Sequence, residues 1–464
     1  MASSKRLPAG SAASGRRTKE EAHSWPVPVL SRADLAGAFA QALDLAEGRR
    51  PGHAARVCYI ALNLAEASGL AKDEQRAVFY GGLLHDAGAA PASAGPCREL
   101  NLSEEALFAG RPDKSLQQLA VELAPGNAPA VVELLRDHVK QGVRVARDLG
   151  LGEDIQTAIE AHHEHWDGRG YPRALKGEEI PLSGRLVAAA DVIESVISDE
   201  PNPLAARRRI VGTLAAETGA QLDPDLAKYA TDLVRSDSFW LGLHDEGLRQ
   251  ALSARYPEDS SEEESPLDVH TFATVLGDLA DAKGQHTEGH SRRTAEVVDR
   301  LACELRFAEG RRELLSVAAV AHDVGLLGVP ARVIAKPDIL TLVEMETMRK
   351  HPTFAQMVLE ALPGMEQAAR WAGAHHERPD GKGYPEMLEE DSIPIEARLI
   401  AVADTYVALT STRPYRKSLT HEDALQVLLG GAGSQLDRGV VRTLCSLPLG
   451  ATSSRTARRS RRKR

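Results

Sequence analysis

Apolar residues recur with helical spacing in two corresponding stretches of the chain. One apolar face follows His53 and comprises Val57, Ile60, Ala61, Leu64 and Ala65. The other follows His290 and comprises Ala295, Val298, Leu301, Ala302 and Leu305. Neither copy shows the apolar–polar alternation that is typical of a strand. Aromatic residues make up only 4% of the chain, so Ala, Leu and Val must build the cores. The pattern predicts an all-α fold of closely packed helices.

A long string of residues occurs twice. It reads His-His-Glu, two residues, Asp-Gly, one residue, Gly-Tyr-Pro, and it spans 162–172 and 375–385. Upstream of it, corresponding residues such as His53 and His290 lie 237 positions apart, whereas the strings themselves lie 213 apart. The first copy therefore carries 24 extra residues, which we place in the Pro- and Gly-rich stretch at about 90–125. The chain is a tandem repeat.

The repeat and the composition divide the 464 residues into segments. Two tandem domains are predicted at 26–257 and 266–450, packed as a pseudo-dimer and joined by an acidic linker at 258–265. Residues 1–25 and the basic tail 451–464 are predicted to be disordered. An alternative role for the tail, with seven Arg or Lys in 455–464, is weak attachment to nucleic acid or an anionic membrane.

Charge and cysteine usage narrow the class of protein. The net charge of −10 disfavours specific binding of nucleic acid by the body of the chain. No apolar run approaches the roughly 18 residues of a membrane span, and no secretory signal is evident. The four cysteines (Cys58, Cys97, Cys303 and Cys445) lie far apart and form no CxxC pair, which fits a reducing cytoplasm. We therefore expect a cytoplasmic protein, and homo-oligomer formation stays open.

Seven histidine and aspartate positions recur in both copies and suggest a repeated metal centre. In the first copy they are His53, His85, Asp86, His138, His162, His163 and Asp191. In the second copy they are His290, His322, Asp323, His351, His375, His376 and Asp404. Imidazole combined with carboxylate favours iron or manganese. Seven residues exceed the needs of one ion, so we expect two ions per site, bridged by Asp86 in the first copy and by Asp323 in the second. The two ions would together activate a water molecule for displacement at phosphorus.

A third ion is an open alternative for the second copy only. His286 lies four residues before His290, so on a helix both would share one face. It is equally well read as an ordinary first-turn residue. The first copy has Arg49 at the corresponding position, and an arginine does not bind a metal ion.

These motifs resemble the HD-GYP family of phosphodiesterases. The resemblance also rests on HDVGLLGVP at 322–330, AKPDILT at 335–341, SIPIEARLIAVAD at 392–404, TSTRPYRKSLTHEDA at 410–424 and LKGEEIPLSGRLVAAAD at 175–191. It implies an all-helical fold and hydrolysis of cyclic di-GMP to pGpG or GMP by a metal-activated water, on two or three iron or manganese ions. It also implies catalytic roles for His85, Asp86, His322 and Asp323.

The two copies depart differently from the family pattern. Where the family usually has a lysine, the first copy has Ala89 and the second has Leu326. Where the family usually has a second aspartate, the first copy has Glu194 and the second has Val407. In the family this lysine and aspartate lie together beside the metals.

Phosphate-contacting residues also differ between the copies. Only the second copy keeps Arg413 and Arg416, which resemble the family's phosphate contacts, whereas Glu200 in the first copy would repel a phosphate. The second copy is therefore the expected catalyst, and the first a weakened or regulatory metal-binding domain.

Two other functions remain open from the sequence. One is hydrolysis of a different nucleotide, such as pGpG, cyclic GMP-AMP or (p)ppGpp. The other is a non-catalytic cyclic dinucleotide receptor or scaffold, which the missing motif lysine would favour. The Gly-Tyr-Pro segments either shape the pocket wall, which we prefer, or contact a diguanylate cyclase, as the resemblance implies.

Overall fold

The structure is a computed structural model that describes residues 25, 27–90, 99–100, 102, 107, 116–200, 202–244, 247–255, 268–284, 288–412 and 417–449. Regular structure within these ranges is helical, and only isolated bridges such as Asp380–Glu389 join extended segments. The prediction of an all-α fold is confirmed. No helix among the described residues is long and apolar enough to cross a membrane.

The first half contributes eleven described helices. They are α1 (Arg32–Glu47), α2 (His53–Ala67), α3 (Gln75–Leu84), α4 (Leu116–Leu123), α5 (Ala128–Asp148), α6 (Glu153–Ala161), α7 (Leu182–Asp199), α8 (Pro203–Glu217), α9 (Pro224–Arg235), α10 (Asp237–Leu243) and α11 (Leu248–Arg255). A short 3-10 segment, Gly177–Glu179, precedes α7.

The second half contributes ten described helices. They are α12 (Val269–Lys283), α13 (His290–Glu304), α14 (Glu309–Val320), α15 (Ala331–Ile334), α16 (Leu342–Met348), α17 (His351–Glu360), α18 (Glu366–Gly373), α19 (Ile395–Thr410), α20 (His421–Gly431) and α21 (Arg438–Ser446). Short 3-10 segments lie at Val324–Gly328 and Glu390–Ser392.

The predicted apolar faces are buried, with one exception. All five residues of the face after His53 lie in α2 and are inaccessible to solvent. In the second half, α13 ends at Glu304, so Leu305 follows the helix and is 37% exposed. The expectation that Leu305 continues the buried face is therefore wrong, because the chain turns away at Leu305 and Arg306.

The two halves differ around helix α5. In the first half α5 is continuous, and α4 packs against it through Leu116 and Ala120. The corresponding stretch of the second half is divided into α16 and α17. Most of the predicted insertion at 90–125, the linker 258–265 and the tail 451–464 lie outside the described residues, so the proposed domain boundaries stay predictions.

The two halves share one hydrophobic core. Helix α1 packs on α12, on α17 and on the segment Val324–Gly328 of the second half. Twelve of its 16 residues are buried, as expected for a helix enclosed on most sides. Phe39 of α1 meets Phe272 of α12, with ring centroids 6.2 Å apart. The tandem halves therefore pack directly against each other, as the predicted pseudo-dimer requires.

Candidate metal centres

Both clusters of predicted ligands form at helix ends. In the second half, His290 and His351 begin helices, His322 and His375 follow the ends of helices, and Asp404 lies within α19. Helix starts α2 and α13 are stabilised by a buried aspartate from the preceding helix: Asp44 accepts from the backbone N–H of Gly52 and Ala54, and Asp281 from that of Ser291. These contacts bring His53 and His290 into their clusters.

The carboxylate of Asp323 lies at the centre of the second cluster. Its Oδ2 is 3.8 Å from His290 Nε2 and 3.4 Å from His322 Nε2. Its Oδ1 faces the other way, 3.5 Å from His351 Nε2 and 3.7 Å from His375 Nε2. One carboxylate thus turns each oxygen towards a different pair of imidazoles.

The remaining predicted ligands complete two groups around Asp323. Asp404 Oδ1 is 3.0 Å from His290 Nε2, and His322 belongs to the same group. His351, His375 and His376 form the other group, with their ligand atoms within 4.8 Å of one another. Both groups would suit a metal ion, and Asp323 lies between them.

The first cluster repeats this geometry around Asp86. Its Oδ2 lies 3.2 Å from His85 Nε2, whereas its Oδ1 lies 3.7 Å from His138 Nε2 and 3.6 Å from His162 Nε2. Asp191 Oδ1 lies 3.8 Å from His53 Nε2. His163 joins the group of His138, His162 and Asp86. All seven predicted residues of this half therefore meet.

Backbone hydrogen bonds orient most of these imidazoles. Six of them place Nδ1 on the carbonyl oxygen three residues earlier: His85, His138, His162, His322, His351 and His375. A carbonyl only accepts, so Nδ1 carries a proton and Nε2 is the ring nitrogen that faces the cluster. Such bonds are typical of metal-binding histidines.

Burial keeps several ligands in the form that binds a metal. It lowers the pKa of His138 to about 4 and that of His376 to about 3. Buried atoms without a hydrogen bond in the described part of the chain include Nε2 of His53, His85, His162 and His322, and Oδ1 of Asp86 and Asp191. Buried lone pairs without donors are costly unless a cation satisfies them, so the residues fit metal ions.

The Gly-Tyr-Pro segments are held by a buried glutamate in each half. Glu377 accepts the backbone N–H of Glu386 at 2.6 Å and of Leu388 at 2.9 Å. Glu164 does the same for Arg173 and Leu175. The conserved spacing of the motif in the two copies is thus explained by a loop that closes on its own glutamate.

The tyrosine of each segment packs on the second histidine of the pair. Ring centroids of Tyr384 and His376 are 4.8 Å apart, as are those of Tyr171 and His163. The loop reaches this position only because a glycine precedes the tyrosine: a Cβ on Gly383 would lie 2.5 Å from the backbone N of Arg378. A Cβ on Gly170 would lie 2.2 Å from the backbone N of His165.

Two further charged residues, Arg49 and Glu47, lie at the first cluster. Arg49 Nε lies 3.5 Å from the buried Glu47 carboxylate, and both side chains lie near the metal-ligand carboxylates. Burial and then Asp86 raise the pKa of Glu47. The neighbouring carboxylates, led by Asp191, raise the pKa of Arg49 against the effect of burial.

Glu194 lies on the Nδ1 side of His53, whereas Asp191 lies on the Nε2 side. Glu194 hydrogen-bonds His53 and Arg56 behind the cluster, and these charges overcome burial to lower its pKa to about 2. In the second half, Val407 fills the corresponding place and is buried. Glu194 thus contacts a predicted ligand, and a role for it near the scissile phosphate, as the resemblance implies, stays a prediction.

The structure describes the motif-lysine positions and Glu200, but not every predicted phosphate contact. Ala89 is buried in an apolar cluster with Leu107 and Tyr171, and Leu326 is half-buried. Glu200 accepts the backbone N–H of Asn202 at the start of α8. His286, Arg413 and Arg416 lie outside the described residues.

Comparison with known proteins identifies the family. The HD domain model matches residues 127–226 and 274–440, so the chain belongs to the HD domain family. The 3'3'-cGAMP-specific phosphodiesterase 3 of Vibrio cholerae is 31% identical over 413 residues, which are 83% of this chain and 88% of that protein. A cyclic di-GMP phosphodiesterase of Thermotoga maritima is 34% identical over 175 residues, 37% of this chain and 48% of that protein.

A solved structure resembles almost the whole chain. The cyclic GMP-AMP specific phosphodiesterase V-cGAP3 of V. cholerae matches with a TM-score of 0.63 and 28% identity, over 90% of this chain and 97% of that one. The HD-GYP resemblance read from the sequence and the all-helical fold are confirmed.

Sequence reasoning missed the residues that support the ligands. Asp44 and Asp281 each lie nine positions before a ligand histidine, a repeated spacing that could have revealed them. The contact of Glu194 with His53 carried a weaker signal: Glu194 lies three residues after Asp191 in α7, on the same helix face.

Proposed function

We propose that the chain is a metal-dependent phosphodiesterase that hydrolyses a 3'3'-linked cyclic dinucleotide, and that the second half is the catalyst. The observation that carries the proposal is the placement of Asp323 between two groups of histidines. Iron or manganese ions held there would act as Lewis acids and supply a nucleophilic water. In the reaction, water adds to phosphorus, the bond to the 3'-oxygen breaks, and the released oxygen takes a proton.

Access to the clusters supports the choice of the second half. The Asp323 side chain is 17% exposed, compared with 7% for Asp86. Tyr384 is half-buried, whereas Tyr171 is buried under residues that include Leu107 and Leu116. Arg49 and Glu47 also add a charge pair to the first cluster. The first half is proposed to bind metal without contributing most of the turnover.

Substrate identity has two candidates. Cyclic di-GMP, with pGpG or GMP as product, follows from the HD-GYP resemblance. Cyclic GMP-AMP is the second candidate, because relatives that match over four-fifths of both chains are named for 3'3'-cGAMP. Arg413 and Arg416 are proposed phosphate contacts for either substrate. Glu377 and Tyr384 support a pocket-wall role for the Gly-Tyr-Pro segment rather than docking of a cyclase.

The test compares the two clusters in the full chain. His322→Ala/Asp323→Ala and the matched pair His85→Ala/Asp86→Ala are prepared anaerobically with Mn²⁺ or Fe²⁺, and assayed with cyclic di-GMP, 3'3'-cGAMP, pGpG and ppGpp. We expect the second-half pair to abolish hydrolysis and the first-half pair to retain most of it. Undiminished hydrolysis by the second-half pair would overturn the assignment. Tight binding of a cyclic dinucleotide without turnover by the metal-loaded parent would favour the receptor alternative.

A further inference from the structure

His53 is oriented differently from His85, His138 and His162 of the first cluster. Its Nδ1 lies 2.5 Å from Glu194 Oε2, whereas His85, His138 and His162 use backbone carbonyls. Its Nε2 points to the opposite side, 3.8 Å from Asp191 Oδ1. His53 therefore links a buried carboxylate on one side to the candidate metal centre on the other.

Glu194 is itself fixed in place. Its Oε1 accepts from Arg56 Nε at 2.8 Å and Arg56 Nη2 at 2.6 Å, and from Ser198 Oγ at 2.7 Å. The side chain is completely buried. Oε2 of Glu194 thus contacts His53, while Oε1 accepts two hydrogen bonds from the Arg56 guanidinium. These contacts leave the Glu194 carboxylate little freedom to rotate.

The described residues of the second half show no such support. Val407 stands at the position of Glu194, and Arg293, which corresponds to Arg56, donates to the backbone carbonyl of Glu288 at 3.2 Å. Among the described residues, no carboxylate hydrogen-bonds Nδ1 of His290. The seven candidate ligands are the same in both halves, whereas the contact between a carboxylate and Nδ1 is described only for His53. The contact is therefore not a necessary part of the ligand pattern.

A carboxylate behind a histidine strengthens it as a metal ligand. The carboxylate accepts the Nδ1 proton, fixes the tautomer and ring orientation, and increases the basicity of Nε2. Loss of such a partner typically weakens metal binding about 10–100-fold. A buried ion pair is not by itself a stabilising element, so retention of Arg56 and Glu194 in the interior calls for a role of this kind.

We propose that Glu194, held by Arg56, is a positioning residue that orients His53 and makes the first half a metal-retaining site. The inference rests on the proposed metal binding of the first half, and it does not depend on which half turns over substrate. It separates the roles of the halves. The first keeps its ion through a supported ligand, whereas among the described residues of the second half no carboxylate hydrogen-bonds Nδ1 of the corresponding residue, His290.

The test uses the full chain with the second cluster removed by His322→Ala/Asp323→Ala, so that only the first cluster binds. Mn²⁺ alone is titrated into the metal-free protein and binding is followed calorimetrically. We expect Glu194→Ala to weaken Mn²⁺ binding about 10–100-fold. Glu194→Gln keeps the volume and one acceptor oxygen but loses the charge, and should give a smaller loss. Arg293→Ala, at the second-half position that corresponds to Arg56, should leave Mn²⁺ affinity unchanged.

A purely structural role predicts a different result. In that case Glu194→Ala and Glu194→Gln would lower the stability of the metal-free protein towards urea and leave Mn²⁺ affinity within about twofold of the parent, which overturns the proposal. Failure of the parent to bind Mn²⁺ at the first cluster would overturn the metal-binding role of the first half as well. Hydrolysis by the otherwise unmodified chain distinguishes that failure from failure of the proposed reaction.

Discussion

Tyr384 stacks on His376, with ring centroids 4.8 Å apart and an interplanar angle of 30°. The same pair recurs as Tyr171 and His163. Of the two paired histidines in each motif, the second therefore has an aromatic wall, whereas the first is oriented by a backbone carbonyl. The tyrosine of the motif supports a ligand, and this relationship can be tested separately in each half.

Replacing Tyr384 by Ala should lower kcat/KM about tenfold. A stacked aromatic pair contributes about 0.5–1.5 kcal/mol beyond the burial of its area, and its loss frees the His376 ring to rotate. Tyr384→Phe keeps the stack and should retain near-parental kcat/KM and metal content. Tyr171→Ala is the matched control and should leave turnover within about twofold. Equal damage from the Phe and Ala variants would show that the hydroxyl group, and not stacking, matters.

The carboxylate of Glu377 should stabilise the fold measurably. Glu377→Gln turns one acceptor oxygen into an N–H₂ group, which would oppose the backbone N–H of Glu386 or Leu388. We expect the free energy of unfolding in urea to fall by about 1–3 kcal/mol, the cost of a buried donor without an acceptor. Glu386→Gln removes the same charge from an exposed side chain and is the control. Equal stability of the two variants would contradict the prediction.

The candidate ligands could be predicted from the sequence because their type and spacing recur in two copies. The residues that contact them from behind could not. Whether Glu194 faces the substrate or the back of His53 depends on how α7 packs against α2, and the sequence does not encode that packing in a local period. Leu305 shows the same limit on a smaller scale, because the apolar spacing continued past the residue where α13 ends.

Metal-free protein should be most stable near pH 6.5. An unfolded histidine has a pKa of about 6.5, whereas burial lowers the pKa of His138 to about 4 and of His376 to about 3. Acid therefore protonates the unfolded chain first, and stability falls as pH drops below 6.5. Asp281, whose pKa is raised by burial to about 6, offsets part of this loss.

The loss of stability above pH 6.5 comes from a histidine whose pKa is raised. Asp86 overcomes burial to raise the pKa of His85 to about 9, so its stabilising charge is fully present below pH 6.5 and is lost as pH rises through 9. Urea unfolding of chelator-treated protein at pH 5, 6.5 and 8.5 checks both arms. His85→Ala should flatten only the alkaline arm. Equal unfolding free energies at the three pH values would contradict the assigned shifts.

The contact between Phe39 and Phe272 should make the two halves unfold together. Phe39 is inaccessible to solvent, and Phe39→Ala is expected to cost about 3–5 kcal/mol. In a double-mutant cycle, Phe39→Ala and Phe272→Ala should be coupled by about 0.5–1.5 kcal/mol, the value typical of an aromatic pair. The free energies of unfolding are measured in urea, with calorimetry to follow the number of transitions.

Phe239 provides the matched control for this cycle. It is as buried as Phe39 but packs on Tyr59 and Trp240 within the first half. Phe239→Ala should therefore combine additively with Phe272→Ala, within about 0.3–0.5 kcal/mol. If Phe39→Ala were also additive with Phe272→Ala, and calorimetry resolved two transitions in the parent, the halves would be independent units. A coupled cycle and one transition would establish that α1 joins both halves into one cooperative core.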